Sequence, residues 1–213
     1  MKKSFAVLGI GKYGMSVAKE LSRAGVEVLA VDNNKERINE IADEVTCAVC
    51  ADVCDTDTME TLGLSDMDGV IVAITGSLNA SVLATITAKE AGVPFILAKA
   101  EDEIHTKILK KVGADKVIIP ERESGIRTAR NIISQNMVEF IELSKDICVV
   151  EHEVEREWIG KTLRELDLRQ KRKMNIIALR KEDEVMINVS PNIPMQEGMS
   201  LIMLADRRDL PKE

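Results

Sequence analysis

The sequence predicts an α/β protein: a doubly wound parallel sheet, then a longer helix, then a small α+β domain. Three observations lead there. Short apolar runs alternate six times with helical stretches over roughly the first 120 residues, joined by brief polar turns. The first run, Phe5-Ala6-Val7-Leu8, passes straight into Gly9-Ile10-Gly11-Lys12-Tyr13-Gly14. Beyond residue 138 the texture changes to strand-like runs separated by polar turns. Strict strand–helix alternation argues a parallel sheet with helices on both faces and right-handed crossovers. A chain of 213 residues accommodates one to two domains and a substantial core.

The first strand and its loop form a Rossmann-type element. A strand ending in G-x-G-x-x-G and entering a helix aims backbone N–H groups and the positive end of the helix dipole at a phosphate. Gly9 permits the tight turn, Gly11 removes a Cβ so that phosphate can approach, and Gly14 lets helix and strand pack closely. The helix runs to Gly25, and a second strand over 26–31 ends at Asp32, eighteen residues past Gly14. A carboxylate there accepts hydrogen bonds from ribose hydroxyls and repels a 2′-phosphate, which disfavours NADP.

Asn33-Asn34 cap a helix over 35–43. A third strand over 46–50 leads to Asp52, and a short helix from Asp55 or Thr56 closes near Gly63. The fourth strand, 70–74, is continuously apolar, as suits a strand buried on both faces. It ends in Thr75-Gly76-Ser77, followed by a helix over 79–91, which Gly92-Val93-Pro94 stops. A fifth strand over 95–98 meets Lys99, a helix spans 102–112, and a sixth strand over 117–119 runs into Pro120-Glu121. Ligands of such sheets bind beyond the carboxyl ends of the strands, where the candidate residues fall.

Several side chains there have chemistry to offer. Lys12, between the second and third glycines, adds positive charge that suits a chain of phosphates; otherwise it is an exposed lysine. Asp52 and Val53 fall on the adenine side or form a solvated turn. Lys99 can reach phosphates across the crevice, or stand as a surface lysine, and His105 lies six residues on. Glu121 can offer carboxylate oxygens to a hard cation bridging phosphates, or be an ordinary exposed glutamate.

Composition excludes other classes. The net charge is −7 and aromatic residues make up 2%, so the basic stripe and stacking rings of nucleic-acid binders are missing. No run approaches the ~20 apolar residues of a bilayer span and no signal peptide is evident, so a cytoplasmic location is expected. Cys47, Cys50 and Cys54 have spacing reminiscent of a metal site. Cys47 and Cys50 fall on opposite faces of a strand and no fourth ligand is near, so buried small side chains in a reducing cytosol are expected. A dehydrogenase would need a general acid or base in a substrate domain. The second half has one histidine, in Glu151-His152-Glu153, which reads as a solvated edge strand.

A helix over 123–137 carries the stripe Ile126, Ala129, Ile133 and Met137, which packs on its own sheet or on another subunit. Strands are expected over 138–143 and 147–154, then a short helix over 160–166 and a basic turn, Arg169-Gln170-Lys171-Arg172-Lys173. A strand over 175–179 forms a hairpin with 185–189, and a last strand covers 201–204.

Together the glycine loop, Val28-Leu29-Ala30-Val31-Asp32, Lys99-Ala100-Glu101 with His105, and Gly113-Ala114-Asp115-Lys116-Val117-Ile118-Ile119-Pro120-Glu121 resemble a known family. It is that of the regulatory subunits of bacterial Trk/Ktr potassium-uptake systems, built from RCK (regulator of K⁺ conductance) domains. The resemblance covers nearly the whole chain. It implies an RCK N-terminal domain over 1–122, a crossover helix over 123–138 that forms dimers, and an RCK C-terminal domain over 139–213. It further implies a non-enzymatic gating subunit that binds ATP or ADP, and in some members NAD(H). Homodimers would assemble into an octameric ring on the inner face of the membrane, beneath a K⁺-translocating subunit.

Carried over by position, Gly9, Gly11, Lys12, Tyr13 and Gly14 form the phosphate loop. Lys12 replaces an arginine common in the family, keeping the charge without the bidentate fork. Asp32, Asn33 and Asn34 take the ribose side, Asp52 and Val53 the adenine, and Ile74, Thr75 and Gly76 the phosphate-proximal loop. Lys99, Ala100, Glu101, His105 and Glu121 complete the site, with Glu121 a ligand for a divalent cation, Mg²⁺ or Ca²⁺, between subunits. Some related C-terminal domains bind cyclic di-AMP, and Arg169, Asn175, Ile176 and Pro191 fall where its contacts would lie. The competing reading, an NAD-dependent oxidoreductase, rests on the glycine loop alone.

Overall fold

A computed structural model describes residues 3–133, 137–144, 146–206 and 208. It divides into two compact units, Met1–Pro120 and Glu121–Glu213. In the first, six strands alternate with five helices: β1 (Ser4–Leu8), α1 (Lys12–Arg23), β2 (Glu27–Asp32), α2 (Lys35–Ile41), β3 (Cys47–Cys50) and α3 (Thr56–Thr61). They continue as β4 (Gly69–Val72), α4 (Leu78–Glu90), β5 (Ile96–Lys99), α5 (Glu103–Lys111) and β6 (Lys116–Ile118). All pairings are parallel, in the order β3-β2-β1-β4-β5-β6.

The strands are apolar on both faces because both are covered. Ala6, Leu8, Leu29, Val31, Val70 and Val72 pack on one face with Met59, Ala84 and Leu109. The intervening Val7, Val28, Ala30 and Ile71 face Ala18, Ile38 and Ile41 on the other. On α4 the buried residues are all small, Ala80, Ser81, Ala84, Thr85 and Ala88, which lets the helix approach closely. The chain goes one way from β1 to β3 and the other way from β4 to β6, so β1 and β4 flank the switch point. This is the doubly wound fold the alternation predicts.

The second unit contains most of α6 (Pro120–Ile133), then β7 (Met137–Glu142), β8 (Ile147–Glu153), α7 (Leu163–Leu166), α8 (Leu168–Arg172), β9 (Asn175–Lys181), β10 (Glu184–Met186) and β11 (Met199–Asp206). Its antiparallel sheet runs β10-β9-β11-β8-β7. Trp158, Leu166, Leu168, Met174 and Met195 cover one face over Cys148, Val150, Leu179, Leu201 and Met203.

Several expectations need correction. The helix expected over 123–137 starts at Pro120, a favoured first helical residue, and ends at Ile133, so Met137 belongs to β7 rather than to the helical stripe. The basic run 169–173 is not a turn: Leu168 is buried and anchors α8, which Asp167 and Lys173 bracket at φ 47° and 52°. Thr162 and Glu165 form a capping box that starts α7 later than expected.

Glu151 and His152 are not on a solvated edge, because β8 lies between β11 and β7. Both are buried. Glu151 accepts from Ser200 Oγ and lies 2.8 Å from Arg180 Nε, and the His152 ring stacks on Trp158 at 5.8 Å. Cys47, Cys50 and Cys54 are exposed rather than buried, since β3 is the edge strand and Cys54 lies in the turn beyond it; Cys148 is buried. Among the described residues no group of three or more His, Cys, Asp or Glu side chains is placed to hold a metal ion. Nor is any helix among them long and apolar enough to cross a membrane.

Candidate functional site

A cavity of about 310 Å³ opens beyond the carboxyl ends of β1 to β4. Its floor is the glycine loop. Gly9, at φ 94°, donates its N–H to Val31 O at 2.8 Å, and Ala73 N–H reaches Leu8 O at 2.7 Å, which ties the loop to both neighbouring strands. A Cβ on Gly9 would stand 3.0 Å from the Ala73 and Ile74 backbone, whereas one on Gly11 would meet nothing within 4 Å. Gly11 is the N-cap of α1 without a side-chain bond to its amides, and the first turn carries no acid. The helix end therefore faces the cavity as a donor surface.

Asp32 closes one wall. It is 5% exposed, and both of its carboxylate oxygens accept from the protein. Oδ2 accepts Ile10 N–H at 2.6 Å, Oδ1 accepts Asn34 N–H at 2.8 Å, and Arg37 Nη1 lies 3.4 Å from Oδ2. The residue read as a ribose ligand is thus also a clamp between β2 and the glycine loop. Asn33 lines the cavity, while Asn34 caps α2 by accepting from Glu36 and Arg37 amides. Asp52, Val53 and Cys54 form the far wall. Asp52 Oδ1 accepts Cys54 N–H at 2.9 Å, and burial, then the Asp52 carboxylate, push the Cys54 thiol above its ordinary range.

The opposite wall is the β4–α4 turn. Ala73 and Ile74, expected inside the strand, leave it after Val72 and line the cavity with Thr75 and Ser77. Ser77 Oγ caps α4 at Ala80 N–H. Gly76, between two lining residues, donates its N–H to Glu101 Oε1 at 2.6 Å. Glu101 N–H in turn donates to His105 Nδ1 at 3.3 Å, so Nε2 carries the ring proton and gives it to Ser81 Oγ at 2.8 Å. His105 and Ser81 are both buried. His105 acts as an internal tie between α5 and α4.

Of the expected residues, Gly9, Gly11, Asp32, Asn33, Asp52, Val53, Ile74 and Thr75 line one cavity. Lys12, Tyr13 and Gly14 form the first turn behind the loop, with Lys12 exposed. Lys99 is buried at the end of β5, its Nζ 5.9 Å from the Tyr13 ring centroid, and Ala100 N–H bonds Ile118 O. Glu121 is exposed in the first turn of α6, in the second unit, where Arg169, Asn175, Ile176 and Pro191 also lie. The cavity that includes Asn175 includes none of the other three. Sequence reasoning missed Arg37, Cys54 and Ser77. Ser77 was legible as an N-cap, whereas Arg37 becomes visible only once α2 is docked beside Asp32.

Residues 5–120 match the TrkA-N domain model and residues 149–212 the TrkA-C domain model. The chain is 40% identical, over 95% of its length and 92% of the relative's, to Ktr system potassium uptake protein C of Bacillus subtilis (strain 168). The chain belongs to the Trk/Ktr potassium-uptake family. Ktr system potassium uptake protein A of the same organism is 35% identical over 98% of this chain and 94% of its own. Among solved structures, the GsuK channel bound to NAD matches with TM-score 0.68 at 16% identity, covering 99% of this chain and 38% of the channel's. At that identity the match shows that this Trk/Ktr chain shares the fold of the matched part of that chain.

Proposed function

We propose that this chain is a regulatory subunit that binds an adenine nucleotide beyond β1–β4 and thereby controls a membrane-embedded K⁺-translocating partner. The observation that carries the reading is the cavity at the switch point, floored by an uncapped glycine loop and walled by Asp32. Family membership supplies the potassium system, and the NAD in the GsuK structure supports an adenine dinucleotide as one ligand class alongside ATP and ADP. An oxidoreductase reading fits less well, because it needs a general acid or base in a substrate domain, and the second unit's one histidine, His152, is buried against Trp158.

Control requires that the nucleotides differ in affinity between two arrangements of paired subunits. Homodimers joined through α6 within an octameric ring, on the cytoplasmic side of the membrane, are the assembly that would transmit the difference. Glu121 would add a Mg²⁺ or Ca²⁺ between subunits. Arg169, Asn175, Ile176 and Pro191 would answer to cyclic di-AMP.

Thermal unfolding with ATP, ADP, NADH and cyclic di-AMP, each with and without Mg²⁺ or Ca²⁺, tests this directly. A ligand at a hundredfold excess over its Kd adds about 2.7 kcal/mol, visible as a rise of several degrees. A flat response to every adenine nucleotide would overturn the reading.

Cys54 provides a local reporter. Its raised thiol leaves little thiolate at neutral pH, so alkylation should lag behind that of free cysteine and keep rising with pH beyond the ordinary thiol range. Saturating nucleotide should slow modification of Cys54 severalfold while leaving Cys47 unchanged, as read by peptide mass mapping. Equal rates with and without ligand would place the nucleotide elsewhere.

A further inference from the structure

Glu101 is exposed, yet its carboxylate is held on one backbone donor, Gly76 N–H, at 2.6 Å. That donor lies between Thr75 and Ser77, which both line the cavity, in a turn held open by Gly76 at φ 78°. The anchor behind Glu101 is rigid: its own N–H is tied to buried His105, and His105 to fully buried Ser81 on α4. Gly76, Glu101, His105 and Ser81 thus close a circuit around the start of α4. A carboxylate thus sits on a loop amide between two residues that line the cavity, where the nucleotide-site reading would put ligand phosphate.

We infer that Glu101 is a specificity-determining residue, a tethered anion that competes with ligand phosphate for the Gly76 amide and repels added phosphate charge. The inference rests on the nucleotide-site reading and adds a selection rule to it. A short charge-assisted bond to an amide must be given up, or shared, when a phosphate oxygen arrives. The carboxylate also remains nearby, where like charges repel, more strongly at low ionic strength. The penalty grows with ligand charge. Each phosphate in the pyrophosphate of an adenine dinucleotide such as NAD carries one negative charge, whereas the terminal phosphates of ADP and ATP carry more. The site therefore favours adenine dinucleotides over free ATP, and a divalent cation bound to the triphosphate reduces the difference.

Calorimetric titration of the full chain, E101Q and E101A with NAD⁺, AMP, ADP and ATP in chelator reads this ordering. Both variants should tighten ATP by about tenfold, ADP by a few-fold, and AMP and NAD⁺ by no more than about twofold. Added Mg²⁺ should shrink the gain for ATP. A uniform change across the four ligands, or a loss of ATP affinity confined to the Mg²⁺ series, would overturn the inference by making Glu101 a scaffold or a metal ligand. If none of the three proteins binds any of the four, the site itself is wrong and the inference falls with it.

Discussion

Gly14→Ala is expected to destabilise the N-terminal unit by about 3–5 kcal/mol and to abolish nucleotide binding. In an open helix, alanine is favoured over glycine by about 1 kcal/mol, so propensity alone predicts the reverse. Packing decides the sign. A Cβ at Gly14 would stand 1.9 Å from Gly9 O, 3.0 Å from Gly9 C and 3.2 Å from Ala73 Cβ. The first two are backbone atoms of the loop that Val31 O holds from the other side, so neither can rotate away as a flexible side chain would. Relief requires α1 to lift from β1, which opens the face containing Ala18, Ile38 and Ile41. Gly11→Ala is the matched control. Its φ is −71° and its Cβ would meet nothing, so stability should stay within about 1 kcal/mol while phosphate affinity falls. Urea unfolding and calorimetry of the two variants separate fold from site. A Gly14→Ala protein as stable as wild type would show that α1 has more room than these distances allow.

The contrast between these glycines explains what was legible in the sequence. Gly9 to Gly14 and Asp32 are readable because their geometry is local: a strand end, a turn and a helix start impose the residue types. Caps are local too, as at Asn34 and Ser77. Features that depend on neighbours distant in sequence were misread. Ala73 and Ile74 are apolar and continue a strand-like run, yet β4 ends before them because they turn to face the cavity. Cys47 and Cys50 look like core residues until β3 proves to be the edge. Glu151 and His152 look solvated until β8 proves to be interior, with Arg180, Ser200 and Trp158 supplying partners from other elements. Arg37 and the Glu101–Gly76 bond belong to the same class. Each joins segments whose proximity only the assembled sheet creates.

Asp32 tests how far that clamp and the ligand site are one device. Asp32→Ala should lower the stability of the unliganded protein by about 2–4 kcal/mol, because the Ile10 N–H loses its acceptor in a buried place and the Asn34 N–H loses its own in a half-buried one. A residue used only for ribose would leave the unliganded protein unchanged. Asp32→Asn separates the roles further. Its amide keeps one oxygen, so it can accept from Ile10 or from Asn34, and its NH₂ then faces the other donor. Stability should fall almost as far as in alanine. Arg37→Ala is the counterpart: half exposed and 3.4 Å from the carboxylate, Arg37 should contribute less than about 1 kcal/mol to stability. If Asp32→Asn and Asp32→Ala both unfold at the wild-type urea midpoint, the Ile10 and Asn34 bonds are not what fixes the loop. If instead both are destabilised and Arg37→Ala is not, the carboxylate holds the glycine loop before any nucleotide arrives. Ligand affinity at this end would then be set by how much of Asp32's acceptor capacity the loop leaves free.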